Sequence, residues 1–234
     1  MKKTISLLFV CFTIMSCNSG IEGEGVATAE HEMAVDIFQN LIVNCNCDLN
    51  LIPAENTKVV VESHQNLIDN LNIKSKNKSL EITENTKVGK FSLYNVNVYF
   101  NPELTKIELK NQTRMKISGT LKADEILIKL ADNTMLDKSF VDIREMKIQQ
   151  SGNSRSHFSG TVIDLIVETS DNANAELEEL QAVSVNFKTY DNSMLSIYPM
   201  KEMNGRANDN SIVRYKGDPV KDNTTKDRAV IEKK

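Results

Sequence analysis

From about residue 104 onward, apolar residues take every second position in short runs, and each run stops at an acidic residue, an asparagine and a small residue. The triplet recurs in "LADNTML", "TSDNANA", "KTYDNSML" and "ANDNSIV", with Ser-Gly-Asn standing in its place at 151–153. Anchored on the asparagines Asn133, Asn153, Asn172, Asn192 and Asn210, the steps are 20, 19, 20 and 18 residues. Gln112 lies 21 residues before the first, and "KDNTTK" reads as a shortened copy anchored at Asn223. Seven, five and three positions before the anchors stand Ile126/Ile128/Leu130, Met146/Ile148/Gln150, Leu165/Val167/Thr169, Val185/Phe187/Thr189 and Met203/Gly205/Ala207. This period-2 alternation predicts a strand with one face turned inward. Three and five positions after the anchors, Met115/Ile117, Ser156/Phe158, Ala175/Leu177, Leu195/Ile197 and Val213/Tyr215 predict a second strand; Leu136/Lys138 fits less well. Gly119, Gly160, Pro199 and Gly217 fall seven after their anchors, where a further corner belongs.

A repeat near twenty residues is the signature of a solenoid. Twenty extended residues trace about 66 Å, enough to circle once around a small coil. Stacking such coils in register buries columns of Ile, Val, Leu, Met and Phe, so the expected fold is an all-β, right-handed parallel β-helix. A two-layer β-roll is the near alternative, since periodicity does not count the faces. Asn and Asp tolerate the left-handed conformation of a tight corner and can cap neighbouring backbone groups. The stacked asparagines are therefore expected to form a structural amide ladder. The rival reading takes Asp132, Asp171, Asp191 and Asp209 as an acidic row that holds calcium or performs catalysis; the Gly-rich calcium nonapeptide is absent, and Gly152 interrupts the row.

Before the repeat, strands are expected near 41–45, 47–52, 58–63, 71–75 and 79–83, a section that would cover the first coil. At the far end the charged "TTKDRAVIEKK" would blunt the last one. Cys45 and Cys47 in "LIVNCNCDLNL" would lie on one strand face, with Cβ atoms about 6–7 Å apart. A disulfide needs about 3.5–4.5 Å, so pairing requires a bulge or sharp bend, and free buried cysteines are the expectation.

The N-terminus, "MKKTISLLFVCFTIMSC", has basic residues followed by an apolar run too short for a permanent span, and it reads as an export signal. Ile14-Met15-Ser16-Cys17 resembles the bacterial lipobox, which implies cleavage after residue 16 and lipidation of Cys17. Losing Lys2 and Lys3 with the signal takes the formal charge from −4 to −6. A mildly acidic chain without a basic sequence run does not suggest nucleic acid as a partner. Residues 17–34, Gly-rich and acidic, read as a flexible tether. The expected layout is therefore signal 1–16, tether 17–34, N-terminal β section 35–103, and coils with a C-terminal cap over 104–234.

The lipobox, the tether, "FQNLIVNCNCDLNLI", "VVVESHQNLIDNLNI", "KSLEI", "NVNVYFNPELTKIEL" and "YKGDP" together resemble the head GIN domain family of auto-transporter adhesins, over roughly 35–233. The family's usual Ser-Gly-Ser-Gly corners are here Asp-Asn-Ser/Thr/Ala. The resemblance implies an exported β-helical domain common in Gram-negative lipoproteins, and it supplies no catalytic residues. His31, His64 and His157 are scattered, and no nucleophile elbow, phosphate loop or zincin helix is visible. No cofactor or metal is expected. The expected function is an adhesin-like binding or scaffold module, anchored by lipid in the envelope, outer membrane included, for a glycan or protein ligand. Its candidate surface comprises Asp171, Asp191, Asp209, Tyr190 and Tyr198. The alternative is a carbohydrate-active enzyme working at the acidic row.

Overall fold

The structure, a computed structural model, describes residues 20–234. The signal segment and Cys17 lie outside the described residues. The N-terminal part contains β1 (Ala29–Ala34), β2 (Asn40–Cys45), β3 (Asp48–Pro53), β4 (Lys58–Ser63), helix α1 (Gln65–Asn70), β5 (Leu71–Lys76), β6 (Ser79–Glu84) and β7 (Tyr94–Phe100). There follow β8 (Lys106–Asn111), β9 (Arg114–Ile117), β10 (Thr120–Leu130), β11 (Met135–Gln150), β12 (Arg155–Thr169) and β13 (Asn174–Thr189). The chain ends with β14 (Met194–Ala207), β15 (Ile212–Tyr215), β16 (Val220–Thr225) and β17 (Val230–Lys233). From β8 onward every strand pairs in parallel with the next coil, so the fold is a parallel β-solenoid.

Each middle coil breaks at three places. The first is the Asn corner. The second is a register shift, between Leu136 and Ser139, His157 and Ser159, or Leu177 and Gln181. The third is a gap in pairing at Asp124/Arg144, Ile163 and Val183. Across the last two, consecutive side chains such as Glu178/Glu179 and Val183/Ser184 escape burial before alternation resumes. A strand cannot turn its pleat outward twice running without bending, so the coil has three faces, not the two of a β-roll. The first face runs into the Asn corner, the second leaves it, and the third closes the coil.

The inward columns are those the alternation marks. Ile128, Ile148, Val167 and Phe187 stack in register, all 3% exposed or less. The column continues to Gly205, where a Cβ would come within 2.6 Å of the Phe187 ring. The glycine thus makes room for the aromatic above it. Next to the corner the interior turns polar: Gln150, Thr169 and Thr189 are buried beside Ser154, Ser193 and Ser211. Thr169 Oγ1 donates to Ser193 Oγ (3.0 Å), Thr189 and Ser211 share a 2.8 Å bond, and Ser156 donates to Gln150 Oε1 (2.5 Å). These buried hydroxyls stay because each finds a partner.

The solenoid starts earlier in the chain than the Asn spacing marks, and out of order. β2 lies between β6 and β8, and β3 between β7 and β9, all parallel. Residues 40–53 thus form a coil threaded between two coils that come later in sequence. Antiparallel β5 on β6, and β4 with β1 beyond β7, close this end, and Leu67 of α1 is buried against it.

Three expectations are corrected. Residues 20–34 are not a free tether: Ile21 bridges to Val88, Gly23 N donates to Lys90 O (2.8 Å), Asn66 Nδ2 donates to Glu22 O (2.8 Å), and β1 pairs with β4 over six residues. Gly23 sits so close to His64 that a Cβ would meet its ring at 2.3 Å. Second, the last coil turns at Asp227-Arg228-Ala229, while Asn223 lies within β16 paired to Gly205. An arginine in the asparagine's place hid that corner. Third, Cys45 and Cys47 are joined by a disulfide, with Cα atoms 5.4 Å apart. They flank Asn46 where β2 turns into β3, and this bend takes the two side chains off a single strand face. The bridge sits in the corner column directly below Asn111-Gln112-Thr113, with Thr113 Oγ1 donating to Cys45 O at 2.9 Å. Closing so short a loop restricts the unfolded chain little. The double Ala variant is expected to lose about 1.5 kcal/mol by the chain-entropy relation, readable as a lowered urea midpoint; no change would show that the bridge adds nothing to the corner.

Candidate functional site

The corners give each residue of the triplet a separate task. The residue ahead of the asparagine takes the left-handed conformation: Asn111, Asp132, Asp171, Asp191, Asp209 and Asp227 have φ of 57–67°, and Gly152 has 69°. Four of the five aspartates also reach back one coil to accept a backbone N–H: Asp132 from Asn111 (2.9 Å), Asp171 from Gly152 (2.9 Å), Asp191 from Asp171 (3.0 Å) and Asp209 from Asp191 (3.1 Å). The asparagine amides bond along the row, Asn153 to Asn133 (2.9 Å), Asn172 to Asn153 (3.1 Å) and Asn210 to Asn192 (3.2 Å). The small residue is buried beneath the corner, and its hydroxyl returns to the carbonyl three residues back, as in Thr134 to Ala131 (2.9 Å) and Ser193 to Tyr190 (2.7 Å).

The acidic row is thus engaged with its own backbone and stands on an exposed edge. A ranking follows for Asp191. Asn keeps both the acceptor and the tolerance of positive φ, Gly keeps only the second, and Ala keeps neither. Urea midpoints are expected to fall in the order wild type and Asn, then Gly, then Ala; an Ala variant as stable as Asn would contradict it.

The first face carries a groove of about 420 Å³. Small side chains at successive coils, Ala131, Ser151 and Ser170, make its floor. Lys110 stands at one end and Tyr190, 40% exposed, at the other. One wall consists of Lys129, Gln149, Glu168 and Lys188, consecutive members of one outward column. Gln149 Nε2 donates to Glu168 Oε2 (2.8 Å), and Lys188 lies 3.8 Å from Glu168. Those two groups, with Lys147 nearby, hold the Glu168 carboxyl below its ordinary range, the Gln149 bond first. At the Lys110 end, Glu108 is clasped by Lys106 and Lys110, each at 2.6 Å. Their bonds bring it from 4.5 down to about 2. A depressed carboxylate contributes stability above its unfolded value that is lost as pH falls through the folded one. The contribution of this triad is therefore expected to vanish between pH 4.5 and about 2. A carbon-detected NMR titration reading Glu108 near 4.5 would show the clasp is not kept in solution.

Of the sequence-nominated residues, Tyr190 borders this groove. Asp171, Asp191 and Asp209 run along the corner beside it and are not among its lining. Tyr198 is elsewhere: it follows the second-face run, pairs with Gln181 on the third face and packs near Gly217. The two tyrosines therefore do not form one platform. The groove itself escaped the sequence reading because its signal, small residues two before the anchors Asn133, Asn153 and Asn172, shows only when the coils are stacked. A second concavity, about 540 Å³, exposes Ile163, Val183 and Met200 beside Arg144. His157 faces Glu176 (3.9 Å) and Glu179 (3.6 Å), and no metal-holding cluster occurs among the described residues.

The model of the family "Putative auto-transporter adhesin, head GIN domain" matches residues 37–219, more than half of the chain. The chain belongs to this family. Solved structures agree with the GIN-domain fold. A putative adhesin from Bacteroides fragilis NCTC 9343 is 16% identical with a TM-score of 0.82, covering 91% of this chain and 98% of its own. A putative lipid binding protein from Parabacteroides distasonis ATCC 8503 is 14% identical at a TM-score of 0.71, over 91% and 98%. A putative adhesin from the same organism is 17% identical at 0.68, over 91% and 99%. At such identities the likeness establishes the fold of the GIN domain and nothing finer. A search of curated proteins finds no match. No helix among the described residues is long and apolar enough to cross a membrane.

Proposed function

We propose that this GIN-domain protein is a lipid-anchored binding module of the cell envelope, adhesin-like and displayed outward, without a catalytic role. The observation that carries the reading is the groove on the first face: side chains from five successive coils, held in register by a rigid sheet, line one trough of mixed polar and aromatic character. Such a surface presents groups at fixed spacing and suits recognition of an extended partner. Membership of an adhesin family supports the same reading. The lipobox at Ile14–Cys17 supports attachment through Cys17.

The acidic row supports catalysis less well, because its carboxylates already cap backbone amides and lie outside the groove. Changing Asp171, Asp191 and Asp209 together to Asn tests this directly, since Asn preserves the corners. Loss of glycan turnover in a folded protein would restore the enzyme reading. Protease treatment of intact and lysed cells tests display: digestion on intact cells is expected, whereas protection until lysis would put the domain inside the envelope and end the adhesin reading. A Cys17→Ala protein is expected to leave the membrane fraction.

A further inference from the structure

The groove on the first face has a charge pattern that names a ligand class. The chain as a whole carries a formal −4. Yet the three outward columns of this face nearest the Asn corner carry, between β8 and β14, Lys106, Lys110, Lys129, Lys147, Lys188 and Arg206 against Glu108 and Glu168, six cations to two carboxylates; the fourth outward column, at the far border of the face, is acidic, with Glu125, Glu145, Asp164 and Glu202. Acidic residues border this strip on both sides; some of them have partners, whereas Asp164 and Glu202 have no cation within 4 Å among the described residues. The corner aspartates take backbone N–H groups, and Arg144 binds Glu125 (2.9 Å) and Glu145 (3.6 Å) on the opposite border. Within the strip, Lys129, Lys147 and Arg206 have no carboxylate within 4 Å among the described residues. A cationic stripe on an acidic protein focuses an anionic chain along one line and repels it elsewhere.

We infer that this groove binds a linear glycan bearing carboxylates, laid along the solenoid axis; the inference rests on the binding-module reading above and names its ligand. Four features select this class. From Lys110 to Tyr190 the trough crosses four coil spacings, about 19 Å, long enough for several linked rings. Its floor and wall offer hydroxyl and amide groups, Ser151, Ser170 and Gln149, which can both donate and accept, as sugar hydroxyls require. Tyr190 closes one end with a ring 40% exposed, a surface on which a sugar face can stack. The unpaired cations are sparse, three over about 19 Å. A nucleic acid presents a phosphate about every 3.4 Å per strand, denser than the cations of this strip. An acidic peptide would gain by adding a strand, but both neighbours of every first-face strand beneath the groove are already paired.

The test is calorimetry of the purified full chain against uronic-acid oligosaccharides of galacturonate, mannuronate and glucuronate. A neutral malto-oligosaccharide, an oligoglutamate peptide and a single-stranded oligonucleotide of similar length serve as comparisons. At least one uronate oligomer is expected to bind, at least tenfold tighter than the neutral glycan, and to weaken as salt rises. Lys129→Glu with Lys147→Glu is expected to lower that affinity tenfold or more, and Tyr190→Ala several-fold, with unchanged circular dichroism. Ser170→Tyr, which fills the floor, checks the same site without altering charge and is expected to block binding. Tighter binding of the oligonucleotide or peptide, failure of every uronate, or full affinity in the groove variants would overturn the inference. Should that happen while the chain remains digestible on intact cells, the surface-binding reading stands and only the ligand class falls.

Discussion

A Gly160→Ala protein is expected to be less stable than wild type by about 3 kcal/mol, the combined order of a forced positive φ and a backbone overlap. Gly160 has φ of 115°, and a Cβ there would lie 2.0 Å from Val141 O in the preceding coil. The cause is local. The step from Asn153 to Asn172 is one residue shorter than its neighbours, and Phe158 and Ser159 are buried in succession as the coil turns onto its third face. The glycine absorbs what the missing residue would have spread over two positions. Urea denaturation measures the change. A loss under about 1 kcal/mol would mean that the coils part locally to admit the methyl group, contrary to tight stacking at this corner.

The second large effect concerns the interior. Leu165 is wholly buried, with Met146 on one side of its column and Val185 on the other. Truncating it to Ala removes contacts with both neighbours and leaves a cavity that a rigid sheet closes poorly, costing about 3–4 kcal/mol. Ile231 belongs to the last coil, where it is partly buried and its column has a neighbour on one side only. Ile231→Ala is expected to cost about 1 kcal/mol or less. In a stack held together by nearest-neighbour contacts, position along the axis should set the penalty for similar truncations. Equal losses at both sites, measured by chemical denaturation, would mean that the solenoid unfolds as one unit from any point.

Much of this architecture can be read from Asn133, Asn153, Asn172, Asn192 and Asn210, because a corner that stacks on itself imposes the same chemistry once per coil. The inward columns follow from alternation alone. What escaped has physical reasons. The number of faces depends on where the pleat slips, at Glu178/Glu179 and Val183/Ser184, and such a slip looks like ordinary surface in one dimension. Asp227 makes a corner of the usual conformation, but Arg228 and Ala229 carry neither the amide nor the hydroxyl. The disulfide of Cys45 and Cys47 does at one corner what hydrogen bonds do at the others. The groove is read across coils and not along the chain, and Tyr190 and Tyr198, close in sequence, diverge because a corner and a face lie between them.

The threading of β2 and β3 between later coils has a mechanical consequence. At the C-terminal end the last coil, β16 and β17, is paired on one side only, so a pull there peels strands away one hydrogen-bonded rung at a time. At the other end, residues 40–53 are clasped on both sides by segments that continue into the rest of the rod. Withdrawing them means sliding two parallel ladders at once, with the Cys45–Cys47 bridge fixing the bend. A load that enters the rod at residues 40–53 and leaves at the tip would thus unravel it from its far end and leave that coil whole. For a module held at one end and loaded by what it grips at the other, that is a built-in direction of failure.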